Sequence, residues 1–240
     1  MSGHSHARTI MHKKGLTDAK RSQIFSKLAG ELAIAAKEGP NAETNPRLRT
    51  VIEKAREANM PTENIERAIK KAAGEGAGQL EEIILEAYGP GGIAVLIASI
   101  TDNKNRAIGD IKQILNTHQG KLVEGGAVRW LFEQKGIITA VPQEHVSLKK
   151  EDVELAVIEA GAQDLHWHNG VLDIFTNPAQ LEEVRQNIQT RGIPIESASL
   201  GWVPKEYVEI GEEEKKKTEE LFEALEENDA VQEIYSNLKW

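Results

Sequence analysis

The chain has 240 residues and no cysteine, and its 29 Lys/Arg stand against 38 Asp/Glu, a formal net charge of −9. That length holds one large domain or two to three small ones with a hydrophobic core that needs no covalent staples. Without cysteine, disulfides, thiolate catalysis and Cys-based zinc sites are excluded; no apolar run approaches the ~18 residues of a membrane span, so the expectation is a cytoplasmic protein with no membrane partner.

The charge is unevenly spread. Residues 1–75 hold 14 Lys/Arg and 9 Asp/Glu, a balance of +5, and the other 165 residues carry −14. Between Met1 and Lys27, six basic side chains (Arg8, Lys13, Lys14, Lys20, Arg21, Lys27) face one acid, Asp18. A basic tip on an acidic body is the electrostatic footprint of a protein that meets a polyanion with one end, because the acidic remainder repels a phosphate backbone. The competing reading is an interaction adaptor with an acidic body and an unstructured basic arm.

In chain order, residues 1–17 lack periodicity and read as a flexible arm. Thr17 or Asp18 then caps a helix whose Phe25, Leu28, Leu32 and Ala35 form one apolar face, stopped by Gly39-Pro40. Asn45-Pro46 is a start signal, with Asn as the cap and Pro preset for the first helical position. The stripe Leu48, Val51/Ile52, Ala55 follows. Asn59-Met60-Pro61 breaks this helix and begins another with Ile65, Ile69 and Ala72 inward, and Gly74 terminates it. Three such helices make a small bundle, and 75–79 is a seam.

Beyond the seam the pattern turns β-rich. Runs 83–88 and 93–100 join at Gly89-Pro90-Gly91-Gly92 as a hairpin. Asp102 or Asn103 caps a helix carrying Ile108, Ile111, Ile114 and Leu115; 120–126 reads as a loop and 127–132 as a strand. A strand at 136–141, a helix at 150–160, a hairpin of 164–168 and 171–175 turning on Asn169-Gly170, a helix at 178–191 and a strand at 195–202 give βαββαβ, the ferredoxin-like order. A charged helix (212–226) and a strand (231–235) cannot fold alone. Joined to the earlier ββαβ they complete a second unit, read as a rotation of the same βαββαβ order. The expected fold is therefore α+β: an N-terminal three-helix domain (1–78) and two ferredoxin-like domains, one discontinuous (80–132 plus 208–240), the other inserted into it (133–207).

For chemistry the sequence offers little besides charge. There is no nucleophile elbow, HExxH, P-loop or paired-acid site, so neither a catalytic residue nor a small-molecule substrate is expected. Gly89–Gly92 lacks phosphate-loop spacing and joins two strands. His166 and His168 share a strand face, but no carboxylate is placed near them by the sequence, so no metal and no cofactor are expected. The candidate nucleic-acid contacts are Arg8, His12, Lys13, Lys14, Lys20, Arg21 and Lys27, then Arg47 and Arg49 on the next helix, and Arg67, Lys70 and Lys71 on the third. Phosphate contacts require only accessible positive charge. Helices 46–58 and 62–74 also permit a helix-turn-helix with Asn64, Arg67, Lys70 and Lys71 toward a groove, but Glu63 and Glu66 sit where such contacts would fall.

Several stretches together resemble one family. Gly3-His4-Ser5, His12-Lys13, Asp18-Ala19-Lys20-Arg21, Ile24-Phe25, Asn45-Pro46-Arg47-Leu48-Arg49, Asn59-Met60-Pro61 and Ile65-Glu66-Arg67-Ala68-Ile69-Lys70 are similar to the YebC/PmpR family. So are Tyr88-Gly89-Pro90-Gly91-Gly92, Thr101-Asp102-Asn103, Asn105-Arg106, Trp130-Leu131-Phe132 and the tail 228–237. The resemblance implies three domains, a helical head and two ferredoxin-like ones. It also implies a DNA-binding transcriptional regulator or, as for bacterial members tied to the ribosome and the related mitochondrial translational activator of cytochrome oxidase, an RNA-binding translation factor that helps synthesis through proline-rich stretches. The expected partner is thus nucleic acid, DNA or ribosomal RNA, with the ribosome as partner in the second reading. At the tip, His6-Ala7 stand where the family usually has Lys-Trp. One charge and one stacking aromatic are missing, and weaker tip engagement is expected.

Overall fold

A computed structural model describes residues 18–73, 80–142, 149–168 and 170–240. The arm at 1–17, the seam at 75–79 and the turn residue Asn169 lie outside the described residues. The chain is mixed α+β, helical first and sheet-containing after.

Helix α1 (Asp18–Lys37), α2 (Pro46–Glu57) and α3 (Thr62–Ala73) form the head. Their apolar stripes close on one another, with Leu28, Leu32, Leu48, Ala55 and Ile65 in one buried cluster. Asn45 makes the corner between α1 and α2. Its Oδ1 accepts the Leu48 amide at 3.0 Å, while Nδ2 donates to the carbonyls of Ala35 and Gly39 at 2.8 and 2.7 Å. One side chain thus caps the helix that starts and the helix that ends. Asn59 takes a left-handed φ of 59° and turns the chain from α2 toward α3.

After the head, β1 (Glu81–Tyr88) and β2 (Ala94–Thr101) pair antiparallel through a 3₁₀ turn at Pro90–Gly92. Gly91 there has φ 68°, and a Cβ on it would come 2.9 Å from Ile210, so the position excludes a side chain twice over. Asn103, whose side chain accepts the Arg106 amide, caps α4 (Lys104–Thr117). The expected loop at 120–126 contains a short strand, β3 (Lys121–Val123), which pairs with β1. The expected strand at 127–132 is instead a 3₁₀ turn (Arg129–Leu131), and Phe132 opens the next strand. The cause is Glu86, whose carboxylate draws the amides of this segment away from any ladder.

The rest of this unit comes from the end of the chain, α7 (Glu212–Glu226) and β8 (Val231–Ser236). The sheet order is β3-β1-β2-β8, all antiparallel, with α4 and α7 on one face around Ile97, Ile111, Leu115, Phe222 and Leu225. In a βαββαβ chain one αβ pair follows the first strand; here the pair occupying that place, α7–β8, comes last. The expected rotation is therefore corrected to the relocation of one αβ pair.

Residues Phe132–Pro204 make a separate compact unit. In it β4 (Phe132–Ala140), α5 (Lys150–Glu159), β5 (Asp164–His168), β6 (Val171–Thr176), α6 (Leu181–Thr190) and β7 (Ile195–Pro204) follow the βαββαβ order. The sheet runs β5-β6-β4-β7, all antiparallel, and its core gathers Ile138, Val157, Leu172, Ile174, Val184 and Ile188. No described helix is long and apolar enough to cross a membrane.

Candidate nucleic-acid interface

The basic residues picked out by the sequence separate into three groups. Arg8, His12, Lys13 and Lys14 lie outside the described residues. Lys20 and Arg21, on the first turns of α1, and Arg67, Lys70 and Lys71, on the outer face of α3, are exposed. The third group is engaged within the chain. Lys27 Nζ donates to the Glu226 carbonyl at 2.7 Å. Arg47 bridges Glu38 at 2.8 Å and Glu82 at 2.7 Å, and Arg49 donates to the carbonyls of Ala42 and Glu43 at 3.1 and 2.8 Å.

Arg49 ties the loop before α2 to the head itself, whereas Lys27 and Arg47 have a common effect. Lys27 from α1 and Arg47 from α2 reach the α7 end and β1 of the neighbouring sheet, and Gln23, Lys54 and Lys37 reinforce them. Gln23 Nε2 donates to the carbonyls of Glu226 and Glu227 at 3.2 and 2.8 Å. Lys54 Nζ, 2.9 and 3.0 Å from the two Glu31 oxygens, also stands 3.6 Å from Glu233 on β8. Lys37 donates to the Leu80 carbonyl at 2.6 Å. Burial pushes the Lys27 ammonium below its ordinary pKa, against the opposing pull of Glu226, Glu233, Asp229 and Glu31. These cations clasp the head to the sheet, and their charge is turned toward the chain's own carbonyls and carboxylates.

Two family models cover nearly all of the chain: the TACO1/YebC N-terminal domain matches residues 5–75, and the TACO1/YebC second and third domain matches 80–238. The chain belongs to the TACO1/YebC family. A relative from Aquifex aeolicus is 47% identical over 242 residues, covering 100% of this chain and 96% of the relative. A second, from Dehalococcoides mccartyi strain CBDB1, is 45% identical over 239 residues (99% and 94%). Both are named probable transcriptional regulatory proteins. The crystal structure of a conserved hypothetical protein from Aquifex aeolicus superposes with a TM-score of 0.87 at 43% identity, covering 96% of this chain and 95% of that one.

In this TACO1/YebC chain the outer face of α3 presents Arg67, Lys70 and Lys71 interleaved with Glu63 and Glu66. Lys70 and Glu66 approach to 3.6 Å as an exposed i,i+4 pair, which holds little energy and is readily exchanged for another anion. Sequence reasoning missed Gln23 and Lys54 as clasp residues. Their partners lie about two hundred positions away, and no local spacing reports such a pairing.

The histidine pair has a partner that the sequence did not place. Asp173, opposite His166 in the β5–β6 register, sits 3.5 Å from His168 Nδ1 and accepts a hydrogen bond from Thr139 Oγ1 at 3.1 Å. Among the described residues no group of three or more His, Asp or Glu is arranged to hold a metal ion.

Proposed function

We propose that this chain is a non-enzymatic, nucleic-acid-binding regulator of gene expression whose head carries the polyanion contact. The observation that supports it most is the exposed set Lys20, Arg21, Arg67, Lys70 and Lys71 on the head of a chain whose remainder is strongly acidic. To these the reading adds Arg8, His12, Lys13 and Lys14 of the arm. Lys27, Arg47 and Arg49 serve the chain's own structure in this reading, because their bonds tie the head together and to the neighbouring sheet.

The regulator names of the relatives favour DNA as the polymer. A second reading, ribosomal RNA bound by shape in support of translation, draws on Glu63 and Glu66, which stand among the α3 cations where base-edge contacts would fall. Salt dependence does not separate the two, since counterion release governs both. Ribosome co-sedimentation set against promoter footprinting does: an empty pellet with a protected operator supports DNA, and co-sedimentation without protection supports RNA. Charge reversal of Lys13, Lys14, Lys20 and Arg21 to Glu tests the shared claim. Unchanged affinity for either polymer would replace it with the adaptor reading.

A further inference from the structure

Four residues at one edge of the β3-β1-β2-β8 sheet have no part in the head. Tyr88 ends β1 and pairs across the ladder with Lys121 of β3. Directly opposite residues in an antiparallel pair project to the same face. Glu86, two positions earlier and about 7 Å along the strand, shares that face. Its Oε1 accepts the Gly126 amide at 2.7 Å, and its Oε2 accepts those of Val128 and Arg129 at 2.7 and 2.9 Å. Burial opposes the charge of Glu86, yet these amides and the Arg129 guanidinium hold its carboxyl below the ordinary value.

This anchoring fixes the turn Arg129–Leu131 from inside. The Leu131 carbonyl accepts the Lys205 amide at 2.9 Å, and Trp130 Nε1 donates to the Ala127 carbonyl at 3.0 Å. Trp130 is nevertheless 64% exposed, the most of any large apolar side chain described, and Tyr88 is 38% exposed. An indole tied by its N–H and left in water offers a ring face already ordered for a partner. The surroundings indicate which kind. Lys121, which pairs with Tyr88, and Glu124, Gly125, Gly126 and Arg129, which precede Trp130 in the chain, are all exposed, so polar groups and glycines flank both rings. Two exposed rings and two cations at one edge of a sheet are the ingredients of a site for unpaired nucleotides, where bases stack and the backbone follows positive charge. A duplex offers no free base face, since its bases already stack on one another.

We propose that Tyr88, Lys121, Arg129 and Trp130 form a platform for a single-stranded segment of nucleic acid, with bases on Trp130 and Tyr88 and flanking phosphates on Lys121 and Arg129. This rests on the nucleic-acid reading above and narrows its ligand. The test is fluorescence anisotropy of the full chain with a labelled oligouridylate and with a fully paired RNA duplex of equal length. Trp130→Ala and Tyr88→Ala each weaken single-strand binding about five- to a hundredfold, leave duplex binding unchanged, and Trp130→Phe retains most of the affinity. Trp130→Leu replaces the alanine variant if that fails to fold. Single-strand affinity equal to wild type in these variants, or an equal loss on duplex, overturns the platform while the head reading stands. A wild-type chain that binds neither oligonucleotide nor a promoter DNA duplex overturns the nucleic-acid reading itself.

Discussion

Lys27 Nζ donates to the backbone carbonyl of Glu226 at 2.7 Å, a bond between residues 199 positions apart. Glu226 ends α7, where the last carbonyls lack partners within the helix and the negative end of its dipole lies. A lysine from the head fills that vacancy, so a residue counted by the sequence as a phosphate contact caps a helix end of the neighbouring sheet. Lys27→Ala is expected to lower stability by about 1–2 kcal/mol, read from urea unfolding. Nucleic-acid affinity of the folded variant should stay within about twofold of wild type, a smaller change than loss of a charge-assisted hydrogen bond would bring. Unchanged stability with a marked loss of affinity would return Lys27 to the interface.

The α3 face makes the opposite prediction. Arg67, Lys70 and Lys71 are exposed and lie far from the clasp in role. Reversing all three to Glu should leave the unfolding midpoint nearly unchanged and weaken polyanion binding. The slope of log affinity against log salt should become shallower by about 0.7–0.9 for each phosphate that the variant no longer neutralises. Glu66→Gln should act the other way, tightening binding by freeing Lys70 from its 3.6 Å partner. A slope that does not move in the triple variant would take α3 out of the interface.

What could be read in advance, and what could not, follows from the range of the forces. Asn45-Pro46, Asn103 and Gly89–Gly92 were legible because caps and turns are set by a few neighbouring residues. Lys121–Val123 was not, since three residues in a glycine-flanked loop become a strand only by pairing with β1. Val128, Trp130 and Phe132 have strand-like composition, but Glu86, more than forty positions earlier, takes the amides of this segment into a turn. The site behaved alike. Composition located the positive charge in the head, while the division of that charge between clasp and open surface depends on Glu82, Glu226 and Glu233, distant in sequence.

Glu86 gives a pH prediction with a definite sign. Its carboxyl is held below 4.5 in the folded chain. The stabilisation is therefore fully present above 4.5 and is lost as pH falls through the lower folded value. Glu86→Gln keeps one acceptor oxygen and turns an amide nitrogen toward backbone donors. It should cost about 1–3 kcal/mol at neutral pH. Wild type and variant should converge in stability well below 4.5, because the acid is then protonated in both folded and unfolded chains. Denaturant unfolding across that range checks it. A gap that persists at low pH would mean the loss comes from packing and not from charge.

Gly136 tests the Phe132–Pro204 unit by itself. It lies within β4 between Thr176 of β6 and Leu200 of β7. A Cβ there would run into Thr176 Oγ1 and come within 3.0 Å of both Cβ and Cδ1 of Leu181 on α6. Thr176 is fully buried and Leu181 packs against this unit's core, so neither has open space to retreat into. Gly136→Ala is expected to destabilise the unit by about 1–3 kcal/mol through overpacking. Removing the hydroxyl relieves only the first of these clashes, so Gly136→Ala with Thr176→Ala should recover part of the loss, a favourable coupling in a double-mutant cycle. Strict additivity of the two changes would show that the backbone shifts to accommodate the methyl group and that the close approach of Thr176 is not what demands glycine at this position.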